Sequence, residues 1–159
     1  MTPQARGALN EDRFFDAATR LIDWKRKLVL SVRRASPALD ARGVDGIIKI
    51  ALPKGSTRAT MSVPVEVKSS RTGVSRWKIV HREHHEAGVL VFYIKNDMPQ
   101  HRLSKLIFRA LDRVHRNSRD GTLYASWWSR IFRGRGSKNL QKNIATIKAT
   151  RATSREKEK

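Results

Sequence analysis

Apolar residues change their spacing along the chain, and each change marks an element. From Leu9 to about Trp24, Phe14, Ala18, Leu21 and Ile22 recur at helical intervals, which predicts a helix with one buried face. Asn10 or a neighbour is placed to cap it, with acids in the first turn. Leu28 to Arg33 reads as a short strand, with continuation of the helix as the alternative. Pro37 and Gly43 then break the pattern. "VDGIIKIAL" (Val44 to Leu52) and "TMSVPVEVKSS" (Thr60 to Ser70) alternate with period two around the turn "PKGSTRA", which predicts a β-hairpin. "GVSRWKIVHREHHEAG" predicts one helix ending at Gly88. Val89 to Ile94 is a continuous apolar run, as in a strand covered on both faces. Leu103 to His115 predicts another helix, and "TLYASWWSRIFRG" a last one.

The order is helix, three strands, helix, strand, then helices. A helix between the third and fourth strands predicts a parallel crossover. The expected fold class is α/β, a mixed sheet flanked by helices over residues 1–133. Residues 134–159 are rich in Gly, Lys, Arg, Ser and Thr and read as a basic, disordered tail.

The hairpin pattern also predicts its register. With the turn centred between Gly55 and Ser56, Val44 faces Val67, Ile48 faces Val63 and Ile50 faces Met61, an all-apolar phase. A slip of one residue would turn these side chains outward. The other phase sets Asp45 opposite Glu66, with Lys68 next along the strand. Directly opposed side chains have Cβ atoms about 5 Å apart, and like charges there repel. Lys68 offsets part of that repulsion. A divalent cation offsets it better, and with the lysine has the parts for phosphodiester hydrolysis.

Charge sharpens this reading. The chain carries 34 Lys and Arg against 14 Asp and Glu, a net charge of +20, so polyanions and above all nucleic acid are the expected partners. In so basic a chain, carboxylates among apolar strand residues stand out. Lys49, Lys54, Arg58, Arg71 and Arg76 surround the hairpin and the exit from the lysine strand, and together form a candidate phosphate track. No cysteine is present, which excludes disulfides and thiolate metal sites. No apolar run is long enough to cross a membrane and the N-terminus lacks a signal-like apolar region, so a cytoplasmic protein is expected.

"GVDGII" followed by "VEVKSS" resembles the PD-(D/E)XK nuclease superfamily, with its restriction-endonuclease-like αβββαβ core; size and charge are similar to the archaeal Holliday-junction-resolvase branch. The resemblance covers about Leu9 to Ile94, and Val44 stands where the family's name has proline. It implies a Mg²⁺-dependent endodeoxyribonuclease, with Mn²⁺ as a substitute. Asp45 and Glu66 would be metal ligands, joined by the Val67 carbonyl, and Lys68 the catalytic lysine. Glu11 matches the family's first-helix glutamate by position only. DNA is the implied substrate ahead of RNA.

Other features have plainer readings. In "HREHHE", His81 and His85 are four apart, but neither zinc-protease spacing is met, and a solvated helix face is preferred. The aromatic stripe from Leu123 to Phe132 reads as a helix packed on the core, with one of Trp127 and Trp128 left for a homodimer contact or base stacking. "RGRGSK" lacks the spacing of a phosphate-binding P-loop. The competing function is a non-catalytic basic DNA- or RNA-binding protein. A third is an interaction subunit that keeps the fold. Neither needs opposed carboxylates beside a lysine.

Overall fold

A computed structural model describes residues 1–56 and 58–117. The last helix, the tail and the Trp127–Trp128 pair expected from the sequence lie outside the described residues.

The first helix, α1 (Pro3–Arg20), begins six residues before the helix expected from the periodicity. Thr2 caps it, its hydroxyl accepting from the Ala5 amide at 3.1 Å, and Pro3 occupies the first turn, where no amide partner is lost. Asn10 is therefore no cap. It sits mid-helix, on the same face as Phe14 and Leu21, and is buried. A 3₁₀ turn (Leu21–Asp23) ends the segment. The strand alternative at Leu28 is the one realised, as β1 (Val29–Arg34).

A short helix the sequence pattern did not predict, α2 (Pro37–Asp40), fills the link to β2 (Gly46–Ala51). Then follow β3 (Thr60–Lys68), α3 (Arg71–Val80), α4 (Arg82–Ala87), β4 (Leu90–Tyr93) and α5 (Gln100–Asn117). The single helix expected from Gly73 to Gly88 is broken at His81, whose backbone (φ −112°, ψ 42°) leaves the helical region. Gly88, at φ 108°, ends α4 in the left-handed conformation that glycine adopts without a side-chain clash.

The four strands run in the order β1-β2-β3-β4. The first three are antiparallel, and β4 pairs parallel to β3, with α3 and α4 as the crossover. The fold is mixed α/β, a mixed sheet flanked by helices. The predicted hairpin register is the observed one: Ile48 pairs with Val63 and Ile50 with Met61. One apolar cluster joins Phe14, Leu21, Ile48, Ile50, Val63, Val65 and Phe92 to Leu103, Ile107 and Leu111 of α5. A second, smaller cluster holds Val44, Trp77 and Val89, with Leu39, Ile47 and Val91 against it. Val91 and Phe92 are consecutive strand residues that join different clusters, so the clusters lie on opposite faces of the sheet. Val44 corrects the sequence reading. It was expected to face Val67 on the main core side, but β2 begins at Gly46 and Val44 packs on the other face with Trp77. Its amide bonds the Leu39 carbonyl, so the chain has already left the ladder there. Among the described residues, no helix is long and apolar enough to cross a membrane.

Candidate active site

Where the hairpin ladder ends, the sheet brings two carboxylates and a lysine together. Asp45 precedes β2 by one residue and is held on both sides. Its amide donates to the Val65 carbonyl at 2.9 Å, and its own carbonyl accepts from Ala35 at 2.8 Å. With Val44 turned away, the next ladder acceptor for β3 is a side chain: Asp45 Oδ2 accepts from the Val67 amide at 2.7 Å. The Val67 carbonyl faces the same strand edge, because the N–H and C=O of one strand residue point the same way.

Glu66 lies between Val65 and Val67 and is 2% exposed. Parallel pairing sets it beside Val91 of β4. Its Oε1 forms an ion pair with Lys68 Nζ; its Oε2 is buried and meets no donor, though the Asp45 carboxyl lies close enough to share a proton with it when Glu66 is protonated. Burial raises the Glu66 pKa most, Asp45 raises it further, and Lys68 only partly opposes them, leaving it pushed up to about 7. Burial likewise raises Asp45, against the lowering effects of the Val67 amide and Lys68. The electrostatic conflict expected from the register is present: two neighbouring carboxylates and one ammonium, with a carboxylate oxygen left over.

That leftover oxygen is a test of fit for a divalent cation. A buried, unpartnered carboxylate oxygen is costly unless a donor or cation reaches it. Among the described residues, no three Asp, Glu or His side chains form a metal-binding cluster. The donor set on offer is therefore two carboxylates plus a strand-edge carbonyl. Mg²⁺ suits so sparse a set, since it takes one or two carboxylates and fills the rest of its shell with water and phosphate oxygens. Glu11 stands within electrostatic reach of Asp45 but is engaged elsewhere, with Arg34 Nη1 3.5 Å from its Oε1. The same guanidinium bonds Asp12 at 2.5 Å.

Two supports were not foreseen. The first is a buried polar network at the far end of β3. Asn10 Nδ2 donates to Ser69 Oγ at 3.0 Å and to Asn96 Oδ1 at 2.8 Å, and its Oδ1 accepts from Arg13 at 3.1 Å. Arg13 also donates to the carbonyls of Asn96 and Met98. With the Ile94 amide on the Lys68 carbonyl at 2.9 Å, this fixes the strand end that carries Lys68. The signal in the sequence was an asparagine at an apolar-face position of an amphipathic helix. The second support is one face of α3, whose residues Gly73 and Trp77, followed by His81, are spaced four apart. At Gly73 an added Cβ would stand 3.7 Å from Lys68 Cδ. Trp77 Nε1 donates to the Gly43 carbonyl at 3.2 Å, two residues before Asp45.

The expected cationic residues are exposed and fall in two groups. Lys49 and Arg58 line one pocket of about 450 Å³ on the hairpin, with Thr60 and Ser62. Lys54 is in the hairpin turn. Arg71 and Arg76 lie on α3, with Arg71 over the Tyr93 ring at 6.0 Å. Comparison of the chain with protein-family models, curated proteins and solved structures finds no match.

Proposed function

We propose that the protein is a Mg²⁺-dependent endonuclease that hydrolyses DNA phosphodiester bonds at Asp45, Glu66 and Lys68, within a restriction-endonuclease-like core. The observation that carries this reading is the Asp45–Glu66 pair itself. Two half-buried or buried carboxylates abut, one with an unpartnered oxygen, in a chain of net charge +20 where Lys and Arg outnumber Asp and Glu 34 to 14. A structural ion pair would need one carboxylate, and Lys68 already has one in Glu66.

Asp45, Glu66 and the Val67 carbonyl are the groups that would hold the cation. It would supply charge neutralisation at the phosphate and a water of lowered pKa. The chain's own residues do the rest. The Val67 amide holds the Asp45 carboxylate in one orientation. Glu66, 2% exposed and paired with Lys68 through Oε1, is held out of bulk solvent beside Asp45. Lys68, partly exposed, is placed to orient the attacking water and to stabilise charge that develops on the phosphoryl oxygens. The basic surface neutralises backbone phosphates and contributes binding without sequence preference.

The deciding assay incubates the purified protein with labelled duplex, junction, flap and single-stranded DNA and with RNA, in Mg²⁺, Mn²⁺ or EDTA. Metal-dependent cleavage that is lost in Glu66→Ala supports the reading. Cleavage by Glu66→Ala at the wild-type rate would falsify it.

A further inference from the structure

The break between α3 and α4 places an imidazole where the proposed mechanism uses none. His81 sits at the break, with its ring against the segment that carries Asp45: a Cβ built on Gly43 would stand 3.0 Å from His81 Nε2 and Cδ2. It follows Gly73 and Trp77 along the face of α3 that covers Lys68 and the Gly43 carbonyl. Trp77 packs on its ring at 5.5 Å, and the His84 ring stacks on it at 5.5 Å and 13°. It is only partly buried, so its edge remains open to a ligand.

We propose that His81 meets the phosphodiester bound at Asp45, Glu66 and Lys68, and takes up a proton as it does so. This inference rests on the nuclease reading for the position of the phosphate. The groups facing His81 from each neighbouring element favour neutral imidazole in the free protein. From α4 the neighbour is His84, from β3 it is Lys68, and from the Asp45 segment it is the uncharged backbone at Gly43. Partial burial, then His84, then Lys68 all push the His81 pKa down. A phosphate reverses that balance, because its negative charge favours the imidazolium and offsets the Lys68 charge. The histidine then becomes a second cationic contact on the substrate beside Lys68, and only while substrate is bound.

The test measures binding, so that it stands apart from cleavage. Glu66→Gln supplies a background from which the Glu66 carboxyl, pushed up to about 7, is removed. Affinity for one duplex DNA is followed by fluorescence anisotropy from pH 5.5 to 8.5, with and without His81→Gln. The background protein should weaken as pH rises, by up to about tenfold per pH unit, the limit for one linked proton. Adding His81→Gln should flatten that dependence. His81→Arg, a fixed cation, should bind with little pH dependence and restore affinity at pH 8; it carries the test if His81→Gln melts early. Equal pH dependence with and without His81→Gln, or His81→Arg that is folded yet no tighter at pH 8, overturns the proposal. Either result leaves the cleavage test of Glu66→Ala untouched.

Discussion

The carboxylate of Asp45 accepts the amide hydrogen of Val67 at 2.7 Å, so a side chain completes the ladder where the β2 backbone has turned away. This one bond ties both flanks of the candidate site together, since Val67 lies between Glu66 and Lys68. It also separates two roles of Asp45 that a single substitution would confuse.

Asp45→Asn keeps an oxygen for the Val67 amide and removes the charge facing Glu66. Without metal it should melt at or above the wild-type temperature. Asp45→Ala loses the acceptor and leaves the amide unpaired, and should be less stable by about 1–3 kcal/mol. Mg²⁺ should raise the wild-type melting temperature, by an amount equivalent to about 2.7 kcal/mol at a hundredfold excess over Kd. Both variants should lose most of that response. Thermal melts in EDTA and in Mg²⁺ check all three proteins. A wild type indifferent to Mg²⁺ and Mn²⁺, together with a destabilised Asp45→Asn, would return Asp45 to a structural role.

Glu66 makes the metal-free stability depend on pH with an unusual sign. Its carboxyl is raised from an unfolded value of 4.5 to about 7 in the folded protein. Between those values the native state binds the extra proton, so stability falls as pH rises from about 4.5 to 7 and levels off above. The full effect of one such group is on the order of 3 kcal/mol. Urea titrations in EDTA at pH 5 and pH 8 should show the protein more stable at pH 5, and Glu66→Gln should remove most of the difference. A wild type equally stable at both values would mean that Lys68 holds Glu66 ionised throughout.

The strand pairing was legible in the sequence because alternation has a period of two. Ile48, Ile50, Met61 and Val63 admit one register, and the carboxylates followed from it. The beginning of β2 was not legible, because Val44 is equally apolar on either face. Its buried partners Trp77 and Val89, more than thirty residues away, decide which face it takes. The break at His81 has only a faint signal: it follows the exposed β-branched pair Ile79 and Val80, which lowers helix propensity without marking an end, and polar residues resume at Arg82. Asn10 misled for a definite reason. Asparagine favours caps when it bonds its own backbone, but here its partners are Ser69 and Asn96, and only the folded chain brings them near.

The seat of Trp77 can be tested with two glycines that share a backbone conformation. Gly43 has φ 78° and Gly55 has φ 84°. An added Cβ at Gly55 meets open space, whereas at Gly43 it would stand 2.6 Å from Trp77 Nε1. Gly55→Ala should therefore cost about 1–2 kcal/mol, the left-handed conformation alone. Gly43→Ala should cost more, by about 1–3 kcal/mol, because Trp77 must leave its place over the Asp45 segment. It should also lower cleavage, while Gly55→Ala leaves cleavage unchanged. Denaturant melts paired with the cleavage assay separate the cases. Equal losses of stability would mean that Trp77 yields without strain.

The cationic surface and the triad should fail in different ways. Lys49 and Arg58 share the hairpin pocket, and under the proposed function each would neutralise a backbone phosphate. Such contacts carry no sequence information, so Lys49→Ala and Arg58→Ala should weaken DNA binding by similar factors on unrelated sequences. Each lost contact should also reduce the slope of log affinity against log salt by about 0.9. Lys68→Ala should do the opposite: cleavage should fall below detection while affinity and salt slope stay near wild type, because Lys68 would act on one phosphate only and is already paired with Glu66. Anisotropy titrations at four salt concentrations, run beside the cleavage assay, give both readouts. If Lys49→Ala and Arg58→Ala leave the salt slope unchanged, the hairpin does not touch nucleic acid. The track would then have to run along α3, where Arg71→Ala and Arg76→Ala should show the lost slope instead.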